Sequence, residues 1–187
     1  LQVRGLDNLP EQGPFIIAPN HVSYLDSFAV GAALGFQRLR QVYWAGFSEF
    51  ILANPFFRYF SRLSQTVPVD AESRMFSSLA FGAAVLGRDK GLVWFPEGSR
   101  SPDGRLQAFK KGLGVLLANR PAVVVPACVT GTEKILPPGN AVPRPGTITV
   151  VFGRPLRSDE LAENGEGDEN KERIVSALRK EVARLCK

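Results

Sequence analysis

The stretch that decides the fold is residues 14–27, PFIIAPNHVSYLDS. Its first half, FIIAP, is a continuous apolar run, which is typical of a strand buried on both faces of a sheet. A short polar turn follows, and Ser23 or Asp26 is a suitable first residue for a helix. A buried strand that leads through a turn into a helix is the repeating unit of α/β folds.

The same alternation continues along the chain. Short apolar segments rich in β-branched residues alternate with segments of helical period, which predicts an α/β layer structure. The strand candidates are LQVRG (1–5), PFIIAP (14–19), QVYWAGF (41–47), QTVPVD (65–70), GLVWFP (91–96), AVVVPACV (122–129) and TITVVFG (147–153). The helix candidates are residues 27–34, 48–62, 73–87 and 111–119, and a C-terminal amphipathic helix with Ile174, Leu178, Val182 and Leu185 on one face.

With 187 residues and no internal repeat, the chain is predicted to be a single domain over residues 1–187. The motif core covers about 14–157 and a helical tail covers about 158–187. The only methionine is Met75 and the chain begins within a predicted strand, so we expect a domain excised from a longer polypeptide. No run approaches the roughly 18 apolar residues of a transmembrane helix, and no signal peptide is recognisable.

The charge of the chain is unevenly distributed. The net charge is +5, with 17 basic and 10 acidic residues through Arg157 and 6 basic and 8 acidic residues after it. A basic body suits phosphate-bearing partners, which include nucleic acids, nucleotide cofactors and anionic lipids. The sequence has no RNA-recognition, zinc-finger or helix-turn-helix pattern, so we expect no nucleic acid partner.

Cys128 and Cys186 are far apart and lie in apolar or helix-forming surroundings. Their spacing indicates neither a disulfide framework nor a metal site, and a reducing compartment is the default expectation. Cys128, inside an apolar run, is predicted to be a poorly reactive core thiol.

His21 is the only histidine of the chain. It follows the buried strand FIIAP, at the strand end where open α/β sheets form their ligand crevices. If the turn folds back, the Asp26 carboxylate can accept a hydrogen bond from the imidazole Nδ1–H and leave Nε2 free to take a proton. The alternative is that His21 is a structural residue, which is common for an isolated histidine.

A second cluster, WFPEGSRS, occupies residues 94–101. Gly98 allows a close backbone approach, Arg100 offers a bidentate fork for a phosphate, and Glu97 can hold that fork or a substrate hydroxyl. Lys110 and Lys111 follow in FKKG, just before a helix whose N-terminal amides favour anions. These residues predict an anion pocket, although an ordinary loop with a surface ion pair is the alternative for residues 94–101.

In their order and spacing, these blocks resemble the glycerophospholipid acyltransferases, typified by the 1-acylglycerol-3-phosphate acyltransferases. The matching elements are Asn20-His21 with Asp26, then FPEGSRS, then FKKG, then Val125-Pro126, over roughly residues 14–130. The resemblance implies a mixed, largely parallel central sheet flanked by helices, as in glycerol-3-phosphate acyltransferase.

The resemblance also implies transfer of a fatty acyl group from an acyl-CoA or acyl-ACP thioester to a hydroxyl of a lysoglycerophospholipid. His21 would be the general base and Asp26 would orient it. No bound cofactor and no metal are implied, and acyl-CoA or acyl carrier protein would be the donor. The implied substrate-binding residues are Asn20, Arg74, Glu97, Gly98, Ser99, Arg100, Lys110, Lys111 and Pro126.

The chain departs from the family pattern in the second block. Where the family usually has Asp-Arg, this chain has Asp70-Ala71, and the next arginine is Arg74. Either Arg74 reaches the acceptor phosphate from the following helix, or that contact is lost. A phosphodiester head group, as in lysophosphatidylethanolamine, therefore competes with a phosphomonoester as the expected acceptor.

Aromatic residues are concentrated between positions 47 and 60, where Arg58 and Arg62 accompany them. They are Phe47, Phe50, Phe56, Phe57, Tyr59 and Phe60. A core-facing helix explains some of these rings, but one helix face cannot hold them all. We therefore expect some to lie at a rim and attach the chain peripherally to the cytoplasmic face of a membrane.

A thioester is already activated, so a base and a positioned alcohol are sufficient for transfer. Ser23 and Ser99 lie near the motifs, but neither occupies a G-x-S-x-G elbow, which argues against a serine nucleophile. Two other functions remain open. The chain could be a thioesterase with water as the acceptor, or a non-catalytic lipid-binding domain.

Overall fold

A computed structural model of the chain describes residues 1–47, 59, 65–69, 74–137 and 142–187. The described strands are β1 (Gln2–Arg4), β2 (Phe15–Pro19), β3 (Val42–Phe47), β4 (Thr66–Val69), β5 (Gly91–Val93), β6 (Val123–Thr130), β7 (Thr149–Phe152) and β8 (Leu156–Arg157). The described helices are α1 (Leu25–Leu39), α2 (Arg74–Leu86), α3 (Lys111–Asn119), α4 (Thr132–Ile135), α5 (Ser158–Asn164) and α6 (Asn170–Leu185), and a 3-10 turn covers Leu6–Asn8.

The strands form one sheet in the order β1-β7-β6-β2-β5-β3-β4, and β8 also pairs with β6. The β2 strand is parallel to both β5 and β6, and β3 is parallel to both β4 and β5. Within the described sheet, only the pairs of β6 with β7 and with β8 are antiparallel. The predicted mixed, largely parallel sheet is therefore confirmed.

The β2 strand has a central place because its sequence can be buried on both faces. All of its residues are buried, and Ile17 is in register with Val93 of β5 and Val125 of β6. Since the three strands run in the same direction, their carboxyl ends meet at one edge of the sheet. Ligand crevices of open α/β sheets form at that edge.

Helices cover both faces of the sheet. Phe15 and Ile17 face a cluster that includes α1, whereas Ile16 and Ala18 face a cluster built from α2, α3, α5 and α6. This alternation follows from the two-residue period of a strand. Among the described helices, none is long and apolar enough to cross a membrane.

The predicted C-terminal helix is confirmed as α6. Its first turn is closed by a capping box between Glu169 and Glu172, and Ile174, Leu178 and Val182 are buried against the sheet. The sequence signal was clear because apolar residues recur at helical spacing on an otherwise polar segment.

Several element boundaries differ from the prediction. The first helix was expected over 27–34 but runs from Leu25 to Leu39, with a non-helical Gly35 at φ 68° inside it. Helix α4 and strand β8 were not predicted, because segments this short show no periodicity. Helix α5 lies within the predicted helical tail over about 158–187, but it was not predicted as a separate helix. The predicted helix over 48–62 lies outside the described residues, except Tyr59, which is helical and 66 % exposed.

The expectation that the two cysteines are unpaired is wrong. Cys128 in β6 and Cys186 after α6 form a disulfide, with their Cα atoms 5.5 Å apart and a sequence separation of 58. The sequence spacing of the two cysteines could not predict this bond, because the bond depends on α6 packing across the sheet next to β6. Cys128 is accordingly a buried half-cystine and not a free thiol.

Candidate active site

The site lies at the carboxyl edge of the sheet, where β2, β5 and β6 end together. The loop after β2 carries His21, the loop after β5 carries Glu97 and Arg100, and the turn after β6 carries Thr132. Three segments that are distant in sequence therefore meet because their strands are parallel neighbours.

His21 and Asp26 are in direct contact, as their spacing predicts. The imidazole Nδ1 lies 2.9 Å from Asp26 Oδ2, which also accepts hydrogen bonds from the backbone N–H groups of Val22 at 2.6 Å and Ser23 at 2.8 Å. The Thr132 hydroxyl is 2.6 Å from Asp26 Oδ1. A carboxylate that accepts from these donors requires the imidazole proton on Nδ1, which leaves the Nε2 lone pair for a substrate.

Two further contacts hold His21, one to its ring and one to its backbone. The Phe95 ring lies against it, with the two ring centroids 4.3 Å apart, and the backbone carbonyl of His21 accepts a hydrogen bond from Ser101 N–H at 2.8 Å. The His21 side chain keeps 19 % of its surface exposed, whereas Asp26 is fully buried. The arrangement leaves part of the imidazole at the protein surface and buries the carboxylate that binds it.

The contacts of Glu97 differ from the predicted ones. Its side chain is buried, and its two carboxylate oxygens accept hydrogen bonds from the backbone N–H groups of His21 at 2.7 Å and Gln107 at 2.9 Å. Burial raises the pKa of the Glu97 carboxyl above its ordinary value of 4.5, while these two N–H donors act in the opposite direction. Glu97 therefore joins the loop after β2 to the loop after β5, where we had predicted a contact with Arg100 or a substrate hydroxyl.

Arg100 contacts the loop that carries His21 and Asp26. Its guanidinium carbon Cζ is 3.4 Å from the centroid of the Tyr24 ring, which belongs to the loop of His21 and Asp26. A guanidinium stacked on an aromatic face keeps its N–H donors free at its edges, where a phosphate can accept them in pairs.

Gly98 and Lys110 complete this side of the site. Gly98 has φ 69°, and a Cβ atom there would lie 2.8 Å from Lys110 Cδ and 3.0 Å from its Nζ. The lysine side chain thus runs directly over the glycine, and the Lys110 N–H donates to Pro96 O at 2.8 Å. Ser99, like Gly98 and Lys110, is exposed. The predicted anion pocket therefore contains Arg100 and Lys110 around an exposed tight turn.

Asn20 has a role inside the protein. Its buried amide donates from Nδ2 to Val129 O at 3.0 Å and accepts from Val129 N–H at 2.7 Å. These two bonds continue the pairing of β2 with β6 one step beyond the end of β2. We predicted that Asn20 contacts the substrate. Its observed contact with Val129 instead sets the distance between the ends of β2 and β6, and so between the loops that follow them.

Lys111 and Pro126 lie apart from this cluster, and Arg74 is described only by its backbone. Lys111 forms an ion pair with Glu172 of α6, with Nζ 2.6 Å from Oε1. Pro126 is buried within β6 in register with Ala18, below the loops. Arg74 is the first residue of α2 and its side chain is not among the described ones, and Asp70 and Ala71 also lie outside the described residues.

The sequence matches one family model, described as Acyltransferase, over residues 1–130. The chain belongs to the acyltransferase family. Within it, the chain is 29 % identical over 165 residues to a chloroplastic 1-acyl-sn-glycerol-3-phosphate acyltransferase of Arabidopsis thaliana, covering 86 % of this chain and 44 % of that protein. It is also 28 % identical over 169 residues to a 1-acyl-sn-glycerol-3-phosphate acyltransferase of Pseudomonas aeruginosa, covering 89 % of this chain and 61 % of that one.

The fold of this acyltransferase-family chain also matches a solved structure. The crystal structure of the 1-acyl-sn-glycerophosphate acyltransferase PlsC from Thermotoga maritima superposes with a TM-score of 0.72 at 22 % identity, covering 98 % of this chain and 69 % of that one. At this identity the likeness establishes the shared fold. The chain spans 44 % and 61 % of the length of the plant and bacterial relatives above.

Sequence reasoning missed Tyr24, Gln107 and Thr132. Tyr24 stacks on Arg100, Gln107 N–H binds Glu97, and the Thr132 hydroxyl binds Asp26. Tyr24 lies between His21 and Asp26 in sequence, so its place in this loop was recoverable from its position. Thr132 is 106 residues from Asp26 in sequence, and only the knowledge that β2 and β6 are neighbours would have pointed to it.

Proposed function

We propose that this chain is the catalytic domain of an O-acyltransferase that moves a fatty acyl group from an acyl-CoA or acyl-ACP thioester to a hydroxyl of a lysoglycerophospholipid. The observation that carries the proposal is the His21–Asp26 pair at 2.9 Å, beside the guanidinium of Arg100. A base next to an anion-binding group suits an acceptor that has both a hydroxyl and a phosphate.

In the proposed reaction, His21 Nε2 removes the proton from the acceptor hydroxyl while its oxygen attacks the thioester carbonyl carbon. The new C–O bond forms as the tetrahedral intermediate develops, the C–S bond then breaks, and the leaving thiolate takes the proton from the imidazolium. Asp26 holds the ring and stabilises its positive charge during the step. No group on the enzyme becomes acylated.

Arg100 and Lys110 would bind the acceptor phosphate. Arg100 supplies a planar fork for two phosphate oxygens, and Lys110 adds a positive charge over the tight turn at Gly98 and Ser99. Glu97 and Asn20 would act by holding the loops at a fixed separation. This arrangement supplies proximity, which accounts for a large part of the acceleration when the acyl donor is already activated.

The proposal also concerns the head group of the acceptor and the carrier of the acyl donor. The relatives named above are 1-acyl-sn-glycerol-3-phosphate acyltransferases, which favours a phosphomonoester acceptor. Because this chain has Ala71 where the family usually has an arginine, lysophosphatidylethanolamine stays the competing acceptor. Arg74 of α2 is the residue that could supply the missing phosphate contact. Pro126 would lie near the acyl chain, and Lys111 would contribute through its charge outside the cluster.

We further propose that the chain attaches peripherally to the cytoplasmic face of a membrane. Lipid substrates reside in bilayers, and the basic body of the chain suits anionic head groups. The aromatic residues invoked for this contact, Phe50, Phe56, Phe57 and Phe60, lie outside the described residues, whereas Tyr59 is exposed. Flotation with anionic liposomes tests the attachment, and recovery of the chain only in the unbound fraction would contradict it.

The decisive experiment measures acyl transfer to a panel of acceptors. The chain is incubated with a long-chain acyl-CoA and with 1-acylglycerol-3-phosphate, lysophosphatidylethanolamine, monoacylglycerol or no acceptor, and both free thiol and acylated product are quantified. We expect thiol release to require a phosphate-bearing lysolipid and to match the product in amount. The panel is repeated with acyl-ACP and with liposomes present.

The same panel separates the two other functions. Thiol release that proceeds equally without any acceptor would identify a thioesterase that uses water. Absence of both thiol release and product with every donor, acceptor and liposome would favour a non-catalytic lipid-binding domain and contradict the proposal.

A further inference from the structure

The carboxylate of Asp26 is held by two separate parts of the chain. Its Oδ2 accepts hydrogen bonds from its own loop, from Val22 N–H, Ser23 N–H and His21 Nδ1–H. Its Oδ1 accepts from the hydroxyl of Thr132, at 2.6 Å, and in the part of the chain that the structure describes no other hydrogen bond reaches this oxygen. Both Asp26 and Thr132 have no exposed surface.

The position of Thr132 is set by contacts at the end of β6, one of which is to Asn20, the residue before His21. Thr132 follows Gly131, which has φ 91° and whose Cβ position would lie 2.1 Å from Thr147 O, so that only glycine fits the turn. The two hydrogen bonds between Asn20 and Val129 join the end of β6 to the end of β2. The Thr132 hydroxyl therefore reaches Asp26 from a rigid strand end.

We infer that Thr132 is a positioning residue for the base, because it fixes the rotation of the Asp26 carboxylate that directs Oδ2 at His21 Nδ1. The inference rests on the proposed role of His21 as general base. A carboxylate has two oxygens, and the loop of His21 fixes only one of them. Without the Thr132 hydroxyl, Oδ1 would be a buried acceptor with no donor among the described residues.

The carboxylate would relieve this loss by turning about its Cβ–Cγ bond or by admitting a water molecule. Either change alters the hydrogen bond that sets the tautomer and tilt of the imidazole. Partners that orient the histidine ligands of a metal are typically worth about 10- to 100-fold in affinity or activity, and we expect a loss of the same order for a histidine base. Because Thr132 is fully buried and binds Asp26, its effect should fall on kcat and leave the KM for the acceptor nearly unchanged.

The first test is kinetic. Thr132→Val keeps the shape and removes the hydroxyl, Thr132→Ser keeps the hydroxyl, and Thr130→Val makes the same change at an exposed threonine two residues away. We expect kcat to fall about tenfold or more in Thr132→Val, with the KM for the acceptor changed less than about twofold, and to stay within about threefold of wild type in the other two variants. A kcat for Thr132→Val within twofold of wild type would overturn the inference.

A double-mutant cycle separates positioning from general damage to the fold. If Thr132 acts through Asp26, Thr132→Val should cost little further activity in an Asp26→Asn background, because the carboxylate it positions is already gone. An equal loss of activity in both backgrounds would mean that Thr132 supports the fold without a specific link to the base. If the Thr132→Val variant does not fold, Thr132→Ala is a second variant that removes the hydroxyl.

A readout independent of activity is available because His21 is the only histidine of the chain. Its ring nitrogens therefore give unambiguous signals in ¹⁵N-resolved NMR spectra. We expect the Nδ1–H signal to shift or broaden in Thr132→Val and to be retained in Thr132→Ser and Thr130→Val. Identical His21 spectra in wild type and Thr132→Val would overturn the inference, whereas absence of acyl transfer by the wild type would contradict only the proposed function.

Discussion

At the scale of single residues, the site divides the work between groups that face outward and groups that are buried. His21 and Arg100 are both partly exposed. Asp26, Glu97 and Thr132 are buried and hold those loops through hydrogen bonds of 2.6 to 2.9 Å. The outward groups would meet the substrate, and the buried groups keep them in place.

Replacing Arg100 by alanine should weaken the use of phosphate-bearing acceptors. Loss of a charge-assisted bidentate contact is worth about 1.5 to 3 kcal/mol, so kcat/KM should fall by about 10- to 100-fold for a lysolipid phosphate. The loss should be much smaller for a monoacylglycerol, which has no phosphate. Steady-state kinetics with both acceptors provide the comparison.

The matched control is Arg105→Ala, because Arg105 belongs to the same loop region but is 87 % exposed and paired with the exposed Asp103. We expect it to behave as wild type with every acceptor. Equal losses across acceptors in Arg100→Ala would rule out a phosphate contact for Arg100.

Glu97 should make the stability of the protein depend on pH in a recognisable direction. Burial raises its pKa above 4.5, so the folded state holds the proton more tightly than the unfolded state does. Its contribution to stability is therefore greatest below pH 4.5 and is lost as the pH rises through the raised pKa. Glu97→Gln lacks this titration, although it also loses one acceptor for a backbone N–H.

The measurement is urea unfolding of wild type and Glu97→Gln at a series of pH values upward from 4.5. We expect the free energy of unfolding of wild type, taken relative to the variant, to decrease with rising pH over this range. A difference that does not change with pH would show that Glu97 titrates normally in the folded state.

The sequence predicted those parts of the site that are close together along the chain. The spacing of His21 and Asp26 was sufficient to predict that their side chains meet, and Gly98 was sufficient to predict a tight turn. The burial of Glu97 and the ion pair of Lys111 with Glu172 could not be predicted, because each depends on packing against a distant segment. Local motifs indicate which residues matter, and tertiary contacts decide what each one touches.

At the scale of elements, α3 and α6 cross at a close backbone contact. A Cβ atom on Gly114 of α3 would lie 2.1 Å from Lys171 O in the first turn of α6, so the two backbones are in direct contact. Lys111 of α3 and Glu172 of α6 form their ion pair at the same crossing. The glycine therefore sets the separation of two helices that cover the same face of the sheet.

Gly114→Ala should lower the free energy of unfolding by about 1 to 3 kcal/mol, the usual cost of overpacking a rigid contact. Gly112→Ala, two residues earlier in α3, is the matched control, since the nearest atom to its Cβ position is Trp94 Cζ2 at 3.8 Å. The control should be neutral or more stable by up to about 1 kcal/mol, because alanine favours helix. Urea denaturation of the two variants measures both values, and similar effects would contradict the crossing.

The long strands and helices were predictable because each had enough residues to show a period. The β2 run and the stripe of Ile174, Leu178 and Val182 in α6 are examples. The α4 helix, which begins with Thr132, was not, since a four-residue helix shows no recurring face. The residue that completes the contacts of Asp26 thus lies in an element too short to recognise.

At the scale of the whole molecule, the disulfide between Cys128 and Cys186 connects the sheet to the end of the last helix. It closes a loop over a sequence separation of 58 residues, and a bridge of this kind typically stabilises a protein by about 2 to 4 kcal/mol. The sequence could not indicate it, because the order of strands and the path of α6 must be known before the two cysteines become neighbours.

Reduction should therefore lower the free energy of unfolding by about 2 to 4 kcal/mol, and Cys186→Ser should lower it by a similar amount without any reductant. Reductant should have no further effect on the Cys186→Ser variant, which serves as the control. Chemical denaturation and thiol titration are the measurements. Two titratable thiols in the unreduced, unfolded protein would show that the bridge does not form.

The central claim is that His21, held by Asp26, removes the proton of the acceptor hydroxyl. The most direct test compares kcat of wild type and His21→Ala with an acyl-CoA donor and the preferred lysolipid, with thermal melting followed by circular dichroism as the check on folding. The account predicts a kcat at least about a hundredfold lower in the variant, a nearly unchanged melting temperature, and partial recovery with added imidazole. A folded His21→Ala protein with a kcat within about threefold of wild type would contradict it.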